Sequence, residues 1–149
     1  MLIVCPHCSA TNRVPDARLR DDPVCGRCDR ALLDGCPTPL SDANFDAVVG
    51  KTELPVVVDF WAPWCGPCLM MSPQFEQAAL QLKGRALLVK VNSDQSPVCA
   101  GRYAIRSIPT MVLFSRGKEL KRVSGALQSA QILRWVEGAL AAAQVSTPT

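Results

Sequence analysis

Three patterns predict an α/β fold, a mixed central sheet flanked by helices, preceded by a small cysteine-rich ribbon. Short apolar, β-branched runs alternate with segments of helical period, and the run Val56 to Phe60 is nearly continuous in apolar character, as suits a central strand covered on both faces. Two later β-rich runs flank Arg116-Gly117 and precede a further helical period, so a hairpin and a helix complete the sheet. The first 36 residues instead carry two C-x-x-C pairs, lack a long apolar period and end in the Pro-rich joint Cys36-Pro37-Thr38-Pro39. The boundary is placed there, with a ribbon over residues 1–36 and a larger domain over residues 37–149. A chain of 149 residues with 48% hydrophobic content supports one compact domain and such an appendage.

In the ribbon, Cys5-Pro6-His7-Cys8 and Cys25-Gly26-Arg27-Cys28 are sixteen residues apart, a spacing that suits a tetrahedral zinc site with Cys5, Cys8, Cys25 and Cys28 as ligands on two turns. So short a segment cannot bury enough apolar surface to offset its ordering entropy, so one bound ion would supply much of its folding free energy. His7 is the only histidine and reads as a solvent-facing turn residue, because four cysteines already close the site. After the joint, a short helix is expected from Asp42 to Val49, with Ser41 as N-cap and Phe45, Val48 and Val49 inward. The strand at Val56 feeds a helix from about Cys65 to Leu82, within which Pro73 removes one backbone hydrogen bond. Strands are expected at Ala86 to Val91, Thr110 to Phe114 and Glu119 to Val123. A helix from about Gln128 to Ala142 would bury Ile132, Trp135 or Val136, and Leu140, and the tail Ala143 to Thr149 is expected to fray.

The chemistry concentrates at Trp64-Cys65-Gly66-Pro67-Cys68, where strand meets helix. Thiolate is the attacking species, and a free Cys is mostly protonated at neutral pH, so a redox cysteine needs surroundings that favour the anion. The unpaired N–H groups and aligned dipoles of a helix N-terminus provide them, most strongly in the first turn, where Cys65 is placed. Cys68 lies three residues on and shares the face, so the two sulfurs can form a disulfide. Pro67 stiffens the turn without leaving an N–H unpaired, and Gly66 keeps the backbone accessible. Asp59 interrupts an apolar strand, a costly position unless the group is paired, uncharged or functional. Pro109 cannot donate to a ladder and marks an edge or turn where a strand begins.

Composition excludes other classes. The net charge of +3 is modest, and the ribbon's five Arg and five Asp balance, so with four added thiolates phosphate binding is disfavoured and no nucleic-acid partner is expected. Eight cysteines that begin directly after Met1-Leu2-Ile3-Val4 suggest metal and redox chemistry rather than a secreted disulfide scaffold. No apolar run approaches the ~20 residues of a membrane helix, and a cytoplasmic location without membrane contact is expected.

Val56 to Cys68 resembles the active-site segment of the thioredoxin family. The similarity continues in the family's order through Lys90-Val91-Asn92-Ser93-Asp94, Arg106-Ser107-Ile108-Pro109-Thr110 and Val123-Ser124-Gly125-Ala126. With its ribbon, the chain is similar to the zinc-containing bacterial thioredoxin 2 type. The resemblance implies the thioredoxin fold and a protein disulfide reductase in which Cys65 attacks a client disulfide and Cys68 resolves the mixed disulfide. It further implies Asp59 as general base for Cys68, with Lys90 nearby, and a cis Ile108–Pro109 bond facing the dithiol. Trp64, Gly66, Pro67, Ile108, Pro109, Gly125 and Ala126 would form the rim that contacts clients, while Trp61 packs beneath. Thioredoxin reductase would recharge the disulfide, and NADPH would act only through that partner, because the chain has no Gly-rich dinucleotide fingerprint. A monomer is expected.

Three features depart from the commonest family pattern: Leu69 where many members have a basic residue, the additional Cys36 and Cys99, and the zinc ribbon. Cys36 and Cys99 read as small hydrophobes or as redox-sensitive thiols. A disulfide isomerase or oxidase is the competing enzyme reading, and Gly66-Pro67 counts against it. Cys-Pro-His-Cys also occurs as the active-site tetrapeptide of oxidising thiol oxidases, but here it lacks the preceding strand and following helix. A non-enzymatic reading makes the ribbon a partner-binding or sensor module.

Overall fold

A five-stranded mixed sheet in the order β3-β5-β4-β6-β7 organises the larger part of the chain. Its strands are β3 (Thr38–Leu40), β4 (Val56–Trp61), β5 (Leu87–Asn92), β6 (Thr110–Ser115) and β7 (Lys118–Ser124), after a two-stranded ribbon of β1 (Leu2–Val4) and β2 (Thr11–Arg13). This computed structural model describes residues 1–146, with side chains to Ala142. The β4 strand is central, parallel to β5 and antiparallel to β6. Its buried residues divide by the period of two. Val56, Val58 and Phe60 face one helical layer, and Val57 faces the other.

The first layer holds α1 (Phe45–Lys51) and α3 (Pro97–Arg102), the second α2 (Gly66–Gln81) and α4 (Ser129–Ser146). The central strand, the Arg116-Gly117 hairpin and the closing helix lie where the sequence places them. Arg116 (φ 51°) and Gly117 (φ 83°) both lie in the left-handed region, as a two-residue hairpin turn requires.

Several boundaries differ from expectation. The α1 helix starts at Phe45 rather than Asp42, with Asn44 at its N-cap and Ser41 in the preceding turn. The Asn44 side chain is drawn into two other bonds, accepting from Ser41 N–H at 2.8 Å and donating to the Pro6 carbonyl at 2.9 Å. Phe45, Val48 and Val49 are buried as expected. The Pro-rich joint contains a strand, because β3 lies at the sheet edge where Pro39 need not donate to a ladder. The α3 helix escaped the pattern reading because it is only six residues long. Asp42 caps it from a distant loop, accepting from Cys99 N–H at 2.9 Å and Val98 N–H at 3.2 Å. The α4 helix buries Ile132 and Val136 and half-buries Trp135 and Leu140. It continues to Ser146 over much of the tail expected to fray, and 147–149 lie outside the described residues.

The ribbon joins the larger domain through a common core. Ile3, Val4, Cys5, Leu32 and Leu33 pack in one buried cluster with Phe45, Val48, Val58, Phe60 and Phe114. Backbone bonds reinforce it: Leu2 N–H donates to Glu53 Oε1 at 2.6 Å, Glu53 N–H to the Leu2 carbonyl at 2.8 Å, and Val4 N–H to the buried Thr52 Oγ1 at 3.1 Å.

Candidate active site and metal centre

Cys65 is the N-cap of α2, in extended conformation, and is disulfide-bonded to Cys68 with 5.2 Å between their Cα atoms. Its Sγ accepts a hydrogen bond from Cys68 N–H at 3.2 Å, so one unpaired amide of the first turn is aimed at the sulfur. Pro67 occupies the start of the helix, where its missing N–H costs nothing. Cys65 is 5% and Cys68 2% exposed, so the first sulfur is the more accessible by a narrow margin. A small apolar cluster of Ala62, Cys65, Cys68, Trp61 and Ile108 encloses the pair, and Trp61 packs beneath it as expected.

The Ile108–Pro109 peptide is cis, and the Ile108 carbonyl oxygen lies 3.7 Å from Cys65 Sγ. Gly125 closes the same region, its N–H donating to the Pro109 carbonyl at 2.9 Å, with Ala126 next in the chain. Trp64 is 70% exposed and its indole N–H donates to Asp94 Oδ2 at 2.8 Å. Gly66 and Pro67 are exposed beside it, as are Leu69 and Met70. Asp94 had no signal in the sequence that linked it to Trp64, which lies thirty residues earlier.

Beneath the helix, Asp59 on β4 is in register with Lys90 on β5 and Met111 on β6. Asp59 is 1% exposed, and neither carboxylate oxygen has a hydrogen-bond partner among the described residues. Burial raises its pKa to about 7, against the opposing pull of the Lys90 charge. Lys90 does not bond to Asp59. Its Nζ donates to Ser72 Oγ at 3.2 Å and sits 4.4 Å from the Trp61 ring centroid. Ser72, one turn beyond Cys68 on α2, was not singled out in the sequence, since a serine in a helix carries no mark of a lysine on a strand.

The ribbon brings its four cysteines together. All four sulfurs lie within 4.8 Å of one another, and the Cys5–Cys28 and Cys8–Cys25 pairs are each 3.6 Å apart. Tetrahedral zinc with Zn–S of about 2.3 Å requires S–S separations of roughly 3.8 Å, so the donor set fits the ion. Two equivalent turns build it. Ser9 N–H donates to the Cys5 carbonyl at 2.8 Å and Asp29 N–H to the Cys25 carbonyl at 2.9 Å, with φ of 62° and 63° at Ser9 and Asp29 reversing the chain. Asn12 supports the site, its Nδ2 3.5 Å from Cys25 Sγ and its Oδ1 accepting from Gly26 N–H at 2.9 Å. Sequence reasoning missed Asn12 because β2 brings it there. His7 stays outside the cluster, with its Nδ1 3.3 Å from an Arg30 guanidinium nitrogen. Cys36 is exposed; Cys99 is buried, which pushes its thiol up to about 12.

A disulfide-forming pair at the start of a helix, on a mixed sheet and beside a cis-proline loop, defines a thiol–disulfide oxidoreductase. The family profile described as Thioredoxin matches residues 37–138, and the one described as Thioredoxin 2, N-terminal, matches residues 4–30. The chain is similar to Thioredoxin C-3 of Corynebacterium nephridii, 41% identical over 137 residues, which covers 92% of this chain and 94% of that protein. It is also similar to a thioredoxin of Synechocystis sp., 44% identical over 98 residues and covering 66% of this chain and 92% of that one. The chain belongs to the thioredoxin family, whose members are protein-disulfide oxidoreductases. No helix among the described residues is long and apolar enough to cross a membrane.

Proposed function

We propose that this protein reduces disulfides in client proteins, in the cytoplasm and as a monomer, and is recharged by thioredoxin reductase with NADPH as the distant electron source. The observation that carries the reading is the hydrogen bond from Cys68 N–H to Cys65 Sγ at the start of α2, which favours a thiolate at Cys65 over one at an unassisted cysteine. In the forward reaction the Cys65 thiolate attacks one client sulfur, and the other client sulfur leaves as a thiolate that takes up a proton. Asp59, as carboxylate, removes the Cys68 proton. The Cys68 thiolate then attacks Cys65 Sγ, expelling the second client thiolate and leaving Cys65–Cys68 oxidised. Two electrons pass to the client, and two from the reductase restore the dithiol.

Asp59 suits the base role because burial holds its pKa near 7, where it exchanges protons readily at physiological pH. Lys90 tunes that value through its charge. Trp64, Gly66, Pro67, Ile108, Pro109, Gly125 and Ala126 form the client-facing rim, and the client backbone pairs with the Ile108 segment as an added strand. Residues 1–36 act as a zinc ribbon and residues 37–149 as the redox domain. One zinc ion on Cys5, Cys8, Cys25 and Cys28 would form a closed structural site without a reactive position. Buried Cys99 serves as a small hydrophobe.

The test is a redox titration of Cys65–Cys68 in defined thiol/disulfide buffers with zinc retained, combined with turnover of a disulfide-bonded protein by NADPH and thioredoxin reductase. A strongly reducing pair that sustains turnover is expected. Each ~30 mV is about tenfold in equilibrium, so a markedly oxidising pair would replace the reductase reading with an isomerase or oxidase.

A further inference from the structure

Lys90 and Asp59 project from adjacent parallel strands to the same face of the sheet, yet the lysine bypasses the carboxylate. Reach makes this possible. Neighbouring strands are about 4.8 Å apart, and the four-carbon lysine stem extends well past the short Asp side chain. At the end of that reach the ammonium meets Ser72 Oγ on α2 at 3.2 Å and the Trp61 ring at 4.4 Å. Both Asp59 oxygens are left without a hydrogen-bond partner among the described residues. A buried anion with free oxygens is the stronger acceptor for an ammonium than a neutral hydroxyl, so something must keep the lysine extended.

We propose that Ser72 is a positioning residue whose hydroxyl holds the Lys90 ammonium away from Asp59 and thereby keeps the Asp59 carboxylate a strong base beneath Cys68. The surroundings leave few other influences on that carboxyl. On β5 it is in register with Lys90 and on β6 with Met111, α2 carries the disulfide-bonded Cys68 and the neutral Ser72, and the Lys90 charge is the one that acts on it. With Ser72 removed, the stem retracts and the ammonium contacts the carboxylate. Closing a unit-charge pair by a couple of ångströms at an effective dielectric of 20 lowers the pKa of the acid by about one unit, roughly tenfold in proton affinity.

The relevance to turnover rests on the proposed role of Asp59 as base; the positioning itself does not. The experiment is a ¹³C NMR titration of the Asp59 carboxyl in the full-length, zinc-loaded, oxidised protein, in which Cys65 and Cys68 do not titrate. Ser72→Ala should shift the Asp59 titration down by about one unit. Ser72→Thr, which keeps a hydroxyl, should restore it. Lys90→Met should raise it, and adding Ser72→Ala to Lys90→Met should change nothing further. A Ser72→Ala titration that superimposes on the parent or moves up, or a shift that persists without Lys90, would overturn the proposal. The pH profile of reductase turnover separates the two readings: if Asp59 titrates lower in Ser72→Ala while the profile stays in place, Ser72 positions Lys90 and Asp59 is not the base.

Discussion

The chain uses Cys-x-x-Cys in two ways, and the backbone just beyond each second cysteine separates them. After Cys68 the backbone continues as helix through Leu69 and Met70, so Cys65 and Cys68 stay on one face and bond to each other. After Cys8 and Cys28 the backbone turns left-handed at Ser9 and Asp29, and the closest sulfur contacts run between pairs, Cys5 with Cys28 and Cys8 with Cys25. The helix offers one sulfur an amide and a dipole, which suits a thiolate that comes and goes. The reversed turns point four sulfurs at one centre, which suits a cation that stays. The same tetrapeptide spacing therefore accompanies a disulfide where the next residue continues a helix and a four-sulfur cluster where it turns left-handed.

The largest expected effect breaks the metal half. Cys25→Ser should lose zinc, with a share of the roughly 10–16 kcal/mol that a structural zinc can supply. Because Ile3, Val4, Leu32 and Leu33 share a core with Phe45 and Phe60, the melting temperature of the whole protein should fall, as read by calorimetry alongside metal analysis. The dithiol should retain its potential; a parallel change in potential would show the two halves to be chemically coupled. Next, Cys65→Ser should reduce turnover by at least about a thousandfold while leaving zinc content intact. Full multiple-turnover activity in that variant would sink the assignment.

Asp59 sharpens the comparison, because it is a buried carboxyl, whereas every acidic side chain of the ribbon is exposed. Its folded pKa of about 7 lies above its unfolded value, so the folded state binds more protons between roughly pH 4 and pH 7 and stability falls as pH rises through that window, then levels off. Asp59→Asn should remove this slope and stabilise the protein by about 2–4 kcal/mol at pH 8, measured by denaturant unfolding, while slowing turnover. An unchanged pH–stability curve would show that the carboxyl is not held protonated. The smallest effect is expected at Asn12. Asn12→Ala should weaken zinc binding by about tenfold to a hundredfold in a chelator competition, with reductase activity unchanged, since its side-chain partners, the Ala10 carbonyl, Cys25 Sγ and Gly26 N–H, all lie in the ribbon.

Much of the arrangement was legible in the sequence where its cause is local. Val56 to Phe60 reads as a central strand because both faces are apolar, and the hairpin reads from Arg116-Gly117. The start of α1 was misplaced because Ser41 offers a cap signal, while Asn44 takes the N-cap position and bonds across to Pro6. The α3 helix went unseen because it spans only six residues, and part of its support comes from Asp42, more than fifty residues away. At the site, cysteines and proline announce themselves by chemistry, whereas Asn12, Ser72 and Asp94 are ordinary polar residues that gain roles through partners supplied by other elements.

The amino-acid sequence by itself determined which cysteines form pairs of fixed spacing, which segment could place one pair at a helix start, and that an acid is buried in the central strand. Those properties depend on backbone preferences and periodicity within a few residues. Tertiary structure alone decided that the ribbon shares the core of the redox domain, that sulfurs pair across its two turns, and that Lys90 ends on Ser72 rather than on Asp59. Each of these is a contact between distant segments, set by how whole elements pack, and no local pattern in the chain encodes that packing.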